Sequence, residues 1–273
     1  RDLRMSRGLG DVYKRQKQNI ENKARILGKG TWISLGSPIV TEVISMMQFD
    51  WLLFDLEHGF MQEHDILPNL MAVKSSGTKV IVRVSEFRSG LIARLLDWGV
   101  AGIMMPHVSS SEEAARVVGA MRYPPFGKRG FSSSSRSFGY GENAPRNITE
   151  WEPPLFIAQI ENYEGVQNAN SIAATEGVDM LFVGPRDLRL DLSVRKSADE
   201  RIPFQEAISL TVKAAISSGK QAGILVSPEE DISDLCVMGF SAFAIGADLA
   251  VLRSGYKLSL IHISEPTRHA QIS

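Results

Sequence analysis

Residues 154–187 read PLFIAQIENYEGVQNANSIAATEGVDMLFVGPRD. An apolar run at 154–161 closes on Gln159, Ile160 and Glu161, a segment of helical period follows at 163–173, and a second apolar run at 178–184 leads into Pro185-Arg186-Asp187. Neither run alternates polar with apolar residues, which is the pattern of parallel strands covered on both faces. Strand, helix and strand in this compass make one βαβ unit of roughly 30 residues.

The same alternation extends in both directions. Further runs are TWISL (31–35), WLLFDL (51–56), KVIVRV (79–84), GIMMPHV (102–108), AGILV (222–226) and SAFAIG (241–246). Helical segments are expected near 39–47, 63–75, 87–97, 110–121, 204–218, 228–238 and 248–256. Ser109 to Ser111 and Ser227-Pro228-Glu229-Glu230 supply start signals for two of them. Eight β-then-α units predict the α/β class and a single-domain (β/α)8 TIM barrel, with a doubly wound sheet as the competitor. The first strand is not followed by GxGxxG, which weakens dinucleotide binding.

Composition agrees with a globular enzyme-sized domain. The chain has 273 residues, 44% hydrophobic and 22% charged, with 30 Lys plus Arg against 31 Asp plus Glu and a net charge of −1. That balance predicts no nucleic-acid partner, and the absence of a long apolar run predicts no membrane span. One cysteine, Cys236, excludes an intrachain disulfide, and a cytoplasmic location is expected. The ends, RDLRMSRGLGDVYKRQ (1–16) and LSLIHISEPTRHAQIS (258–273), resemble translated sequencing-adapter read-through, so the barrel is assigned to 17–257. The irregular stretch Tyr123–Pro153 is expected to be functional or mobile. Its Ser132–Ser135 run suggests a phosphate cradle, although a solvated loop accounts for it better.

In a (β/α)8 barrel the active site lies at the C-terminal ends of the strands. Polar residues gather there: Asp55, Glu57 and His58; Arg83; Pro106-His107; Gln159 and Glu161; Gly184 to Asp187. Glu161 and Asp187 suit a hard divalent ion, helix capping being the competing role for each. Arg83 suits an anionic substrate or a developing enolate, or else a structural pair with Asp55 or Glu57. His58 suits proton relay or a core hydrogen bond, and Asp97 could orient it. Lys79 opens its strand at the far end and the other lysines fall on helices, loops or tails, which favours a metal-dependent route over an imine.

The segments DWLLFDLEHG, VIVRV, LLDWGVAGIMMPHV, RYPPFGKRGF, FIAQIEN, GVDMLFVGPRDL and AGILV together resemble the HpcH/HpaI aldolase family, metal-dependent class II pyruvate aldolases related to 4-hydroxy-2-oxoheptanedioate aldolase. The resemblance covers residues 24–256. It implies that Glu161 and Asp187 ligate a divalent metal (Mg2+, Mn2+ or Co2+) chelated by pyruvate. It further implies that Arg83 binds the keto oxygen, and that His58, paired with Asp97, assists proton transfer through a metal-bound water. Gln159 then falls beside the metal, the Gly184-Pro185-Arg186-Asp187 amides meet the substrate carboxylate, Trp32 forms pocket wall, and Leu225 shapes the aldehyde side. The implied partners are a small 2-oxo acid and an aldehyde. The implied assembly is a homo-oligomer, a hexamer in which the last helix packs on a neighbour. RGFSSSSRSFGYG, Arg186 and Arg189 depart from the best-known members. A lyase acting on acyl-CoA, as in citrate lyase β-like proteins, and a non-catalytic or assembly-defective fragment are the alternatives.

Overall fold

The computed structural model describes residues 28–148, 151–195, 197 and 201–264. Residues 1–16 and the end of the 258–273 segment lie outside the described residues. Eight parallel strands close into a barrel in chain order: β1 (Lys29–Ile33), β2 (Trp51–Asp55), β3 (Lys79–Arg83), β4 (Gly102–Met105), β5 (Leu155–Ile160), β6 (Met180–Val183), β7 (Gln221–Val226) and β8 (Ala242–Ala247). β1 pairs with β8 to shut the ring. Around it run α1 (Pro38–Ser45), α2 (Glu63–Val73), α3 (Ser89–Trp98), α4 (Ser111–Met121), α5 (Tyr163–Gln167), α6 (Ala169–Ala174), α7 (Pro185–Val194), α8 (Phe204–Ser217), α9 (Ser233–Met238) and α10 (Asp248–Ser264). No helix among the described residues is long and apolar enough to cross a membrane.

The uniformly apolar strands follow from two cores. One residue parity of each strand, including Leu52, Phe54, Val80 and Val82, packs against the helices. The other parity fills the barrel with Trp32, Trp51, Leu53, Ile81, Met104, Leu155, Ile157, Met180 and Phe182. Trp51 meets Phe182 edge-on across the interior at 6.3 Å. Gly30 makes room for this, since a Cβ there would lie 2.2 Å from the Trp51 ring. Truncating either aromatic to Ala would cost about 3–5 kcal/mol.

Four local expectations are corrected. The 163–173 segment is two short helices divided at Asn168, which ends α5 and opens α6. α7 is a helix where Gly-Pro-Arg-Asp reads as a turn, because Pro185 occupies its first position, where the missing N–H is no loss. The seventh helix begins at Ser233 rather than near 228: Asp231 Oδ1 accepts from the Ser233 backbone N–H at 2.9 Å and its hydroxyl at 2.6 Å, while Ser227–Glu230 forms only a turn. α10 continues to Ser264, past 257.

The Tyr123–Pro153 stretch joins the end of α4 to the start of β5, so it sits at the N-terminal end of the barrel, which we call the floor. It is packed there by an aromatic chain of Tyr123, Phe131, Phe138 and Trp151, with ring centroids 5.7, 5.6 and 4.7 Å apart. A cavity of about 740 Å3 opens at this floor, lined by Lys79, Ala101, Arg129, Tyr140 and Leu155 among others. Ser132–Ser135 therefore belongs to the floor and not to the strand-end mouth.

Candidate active site

Strand parity builds the site. Trp51 and Leu53 on β2 face the interior, so Asp55, two residues on, crowns the same face at the C-terminal mouth; Ile81 and Arg83 on β3 repeat the arrangement, as do Leu155, Ile157 and Gln159 on β5. Glu161 follows in the same phase. Its competing role as a helix cap is already filled, since Asn162 caps α5 by accepting from the Gly165 N–H at 2.7 Å.

Arg83 and Asp55 are each about 3% exposed. Arg83 Nε donates to Asp55 Oδ1 at 2.9 Å and Nη2 to Oδ2 at 2.8 Å, the bidentate geometry of a guanidinium on a carboxylate. Arg83 Nη1 lies 2.9 Å from Glu57 Oε2, and the guanidinium carbon stands 4.2 Å over the Trp32 ring. The structural pair thus exists, with both acids at once. Hydrogen bonds to Asp55 engage two of the five guanidinium N–H donors, while Glu57 is held as an ion pair, and the remaining donors can serve a substrate oxygen.

Across the mouth, Glu161 is 2% exposed. Its Oε2 accepts from Gln159 Nε2 at 2.6 Å and its Oε1 from the His107 backbone N–H at 2.8 Å. His107 Nδ1 lies 3.1 Å from Glu161 Oε1, and Nε2 lies 3.4 Å from Glu57 Oε1. Glu57, His107 and Glu161 form a group whose ligand atoms are all within 4.8 Å of one another and could hold a metal ion. Gly184 keeps this space open, since a Cβ there would fall 2.4 Å from Glu161 Oε2 and 2.8 Å from Gln159 Nε2.

The electrostatics are unbalanced. Asp55 and Glu57 share one permanent cation, Arg83, and Glu161 faces the His107 imidazole instead. Burial raises the carboxyl pKa of Glu57, with Arg83 offsetting part of the effect. Burial also raises that of Glu161, with His107 opposing it and the negative charges of Glu57 and Asp187 adding to it. Three buried polar atoms at the mouth, Trp32 Nε1, Gln159 Oε1 and Glu57 Oε2, have no hydrogen-bond partner. Surplus acid together with unpaired donor and acceptor atoms is what a cation and a polar ligand would satisfy.

The remaining sequence candidates divide between mouth and floor. Asp187 lies in the first turn of α7, close enough to Glu161 to act on it electrostatically but outside the three-residue group. Pro185 opens that helix with Gly184 as its cap residue, and Arg186 is exposed beside them. Leu225 on β7 packs against the inner core. His58 is at the mouth with its side chain 63% exposed and Nε2 3.9 Å from Glu57 Oε1. The expected His58–Asp97 pair is not formed within the chain. Asp97 ends α3 at the floor, where Arg129 Nη2 donates to its Oδ1 at 2.6 Å. Helices run back from the mouth, so a residue at a helix C-terminus arrives at the opposite end.

Sequence reasoning places Glu57 and His107 at strand ends without giving either a part in the ion site. It misses Asp248, the first residue of α10, which ties the β8 end to the β1 loop. Asp248 accepts from the Ser34 N–H and hydroxyl (2.6 Å for the latter) and from the Leu35 N–H at 3.0 Å. An acid directly after an apolar strand was the available signal.

The family model described as HpcH/HpaI aldolase/citrate lyase matches residues 29–255. The chain belongs to this family. It is 40% identical over 232 residues to a 5-keto-4-deoxy-D-glucarate aldolase of Salmonella arizonae, covering 83% of this chain and 88% of the relative. An HpcH/HpaI family structure from Burkholderia cenocepacia superposes with a TM-score of 0.80 at 28% identity, covering 91% of this chain and 98% of that one. The HpcH/HpaI aldolase from Desulfitobacterium hafniense gives 0.77 at 27%, covering 88% and 93%. As a family member with aldolase relatives, the protein is a carbon–carbon lyase.

Proposed function

We propose that this HpcH/HpaI aldolase cleaves, and in reverse forms, 4-hydroxy-2-oxo acids, giving pyruvate and an aldehyde with the help of a divalent ion. The observation that carries the proposal is the charge surplus at the mouth: the buried carboxylates of Asp55 and Glu161 and the half-buried one of Glu57 gather around one arginine, with Gln159 Oε1, Trp32 Nε1 and Glu57 Oε2 lacking hydrogen-bond partners. The carboxylate oxygens gathered at the mouth fit a divalent ion such as Mg2+, Mn2+ or Co2+. Glu161 and Asp187 would hold the ion, which when bound supplies a Lewis acid for the substrate's keto oxygen.

The chain's own residues account for the rest. The N–H groups of Arg186 and Asp187 fall in the first turn of α7, where helical N–H groups lack intrahelical partners, and they receive the 2-oxo acid's carboxylate. The Arg83 donors not used by Asp55 meet the keto oxygen as negative charge develops there, and Asp55 fixes the guanidinium so that little reorganisation is needed. His58 Nε2 takes the proton of the 4-hydroxyl. The C3–C4 bond then breaks, its electron pair passing through C3 toward the keto oxygen to form the enolate and its other carbon leaving as the aldehyde, and C3 takes back the proton held by His58 to give pyruvate. Trp32 walls the pocket, and Leu225 faces the aldehyde side. The 5-keto-4-deoxy-D-glucarate aldolase relatives favour a sugar-acid-derived substrate.

The proposal includes a homo-oligomer, a hexamer by family resemblance. Asp97, whose side chain is 32% exposed at the floor, would then reach the exposed His58 of another copy. The test is a panel of 4-hydroxy-2-oxo acids of different chain lengths, scored by coupled pyruvate release, alongside calorimetry with CoA. Pyruvate release without CoA binding is expected; CoA binding without pyruvate release would favour the acyl-CoA lyase.

A further inference from the structure

We propose that His107 is itself a ligand of the divalent ion, giving the centre an imidazole nitrogen through Nδ1 and a preference for Co2+, Mn2+ or Zn2+ over Mg2+. This deepens the ion-assisted reading above and rests on it. Four observations about one residue converge. His107 Nδ1 is 3.1 Å from Glu161 Oε1. Two ligand atoms each about 2.1 Å from one ion lie about 3.0 Å apart at a right angle and about 3.4 Å apart at the tetrahedral angle, so this edge matches a shared ion.

The opposite ring nitrogen completes the pattern. Nε2 is 3.4 Å from Glu57 Oε1, and Glu57 is in turn held by Arg83 at 2.9 Å. A metal-ligating histidine ordinarily directs its second N–H at a carboxylate, which fixes its tautomer and orientation. The backbone is arranged to the same end. His107 has φ +53, in the left-handed region, and its backbone N–H donates to the same Glu161 oxygen that faces the ring. The peptide and the imidazole of one residue therefore both address a single carboxylate oxygen. Finally, the ring is 58% exposed, so an ion can reach it from the mouth. Adding nitrogen to an otherwise oxygen-only set moves selectivity from Mg2+ toward transition metals.

The test uses the full chain, stripped of metal and titrated separately with Mn2+, Co2+ and Mg2+, as wild type, His107→Gln and His58→Gln. Pulsed electron paramagnetic resonance of the Mn2+-loaded wild type should show coupling to a directly bound 14N nucleus. That coupling should persist in His58→Gln and vanish in His107→Gln. Equilibrium dialysis should show His107→Gln losing at least about 10-fold in Co2+ affinity, while Mg2+ affinity changes far less. Mn2+ bound without 14N coupling, or equal losses for Co2+ and Mg2+, would overturn the ligand assignment while leaving the ion-assisted reading intact. Failure of the wild type to bind any of the three ions would overturn both.

Discussion

The barrel carries two buried arginines in similar settings at opposite ends. At the floor, Arg129 stands 4.6 Å over the Tyr123 ring and pairs with Asp97, one cation to one acid. At the mouth, Arg83 stands 4.2 Å over the Trp32 ring and meets Asp55 and Glu57, with Glu161 close by. The floor pair is neutral and sits among the packed aromatics of the Tyr123–Pro153 stretch. The mouth keeps excess negative charge and raised carboxyl pKa values, whereas buried atoms without a hydrogen-bond partner occur at both ends, Arg129 Nε and the Tyr123 hydroxyl at the floor as well as Trp32 Nε1, Glu57 Oε2 and Gln159 Oε1 at the mouth. The same pair of residue types packs the floor where charges balance and, on the proposed function, serves chemistry at the mouth where they do not. A bound cation would resolve such an imbalance.

Substitutions can break this contrast, the largest effect falling at the ion. Glu161→Ala should abolish ion binding and pyruvate release while the metal-free protein keeps its circular dichroism spectrum; retained activity would move the ion elsewhere. Arg83→Met should lower kcat/KM about 10²- to 10³-fold, as loss of a donor to developing charge does. Arg129→Met should instead read out mainly as stability, about 1–3 kcal/mol in denaturant unfolding, through the lost ion pair and ring contact of Arg129, Asp97 itself staying in reach of water. If the two arginine variants behaved alike, the distinction between mouth and floor would fail. Gly184→Ala tests the site's tightness. Its methyl must displace Glu161 or Gln159, so ion affinity should fall by about 10-fold in calorimetry, with a stability loss of about 1–3 kcal/mol.

The smallest expected effect is in pH dependence. Burial raises the Glu57 and Glu161 pKa values above 4.5 in the folded chain. Their contribution to stability is therefore fully present below the unfolded value and is lost as pH rises through the raised folded values. Metal-free protein should lose melting temperature through that window from these two groups. The upward shift given by saturating Mn2+ should grow with pH over the same range. Melting curves with and without chelator, compared at about pH 5 and about pH 8, would show it; an ion-induced shift that shrinks with pH would contradict the charge-surplus account.

Much of this was legible in the sequence because burial on both faces leaves so plain a mark. Strands such as 79–84 and 178–184 are apolar at both parities, and the polar residues that terminate them are the mouth. What stayed ambiguous depended on one neighbour or one torsion. Glu161 could read as a cap until Asn162 was seen to fill that role. The part open to His107 depends on a left-handed φ that no composition reveals. α7 was hidden because Gly-Pro opens both turns and helices. Asp97 was linked to His58 by its place just before the fourth strand as well as by family resemblance, yet it lies at the end of a helix, and in this barrel that places it at the floor.

The central claim is that the mouth is a divalent-ion-dependent aldolase site. Its most direct test is pyruvate release from a 4-hydroxy-2-oxo acid by the full chain after exhaustive chelation, after re-addition of Mn2+ or Co2+, and after borohydride treatment with substrate. The account predicts loss on chelation, recovery on re-addition and indifference to borohydride. Full activity in the metal-free protein, or inactivation by borohydride, would contradict it.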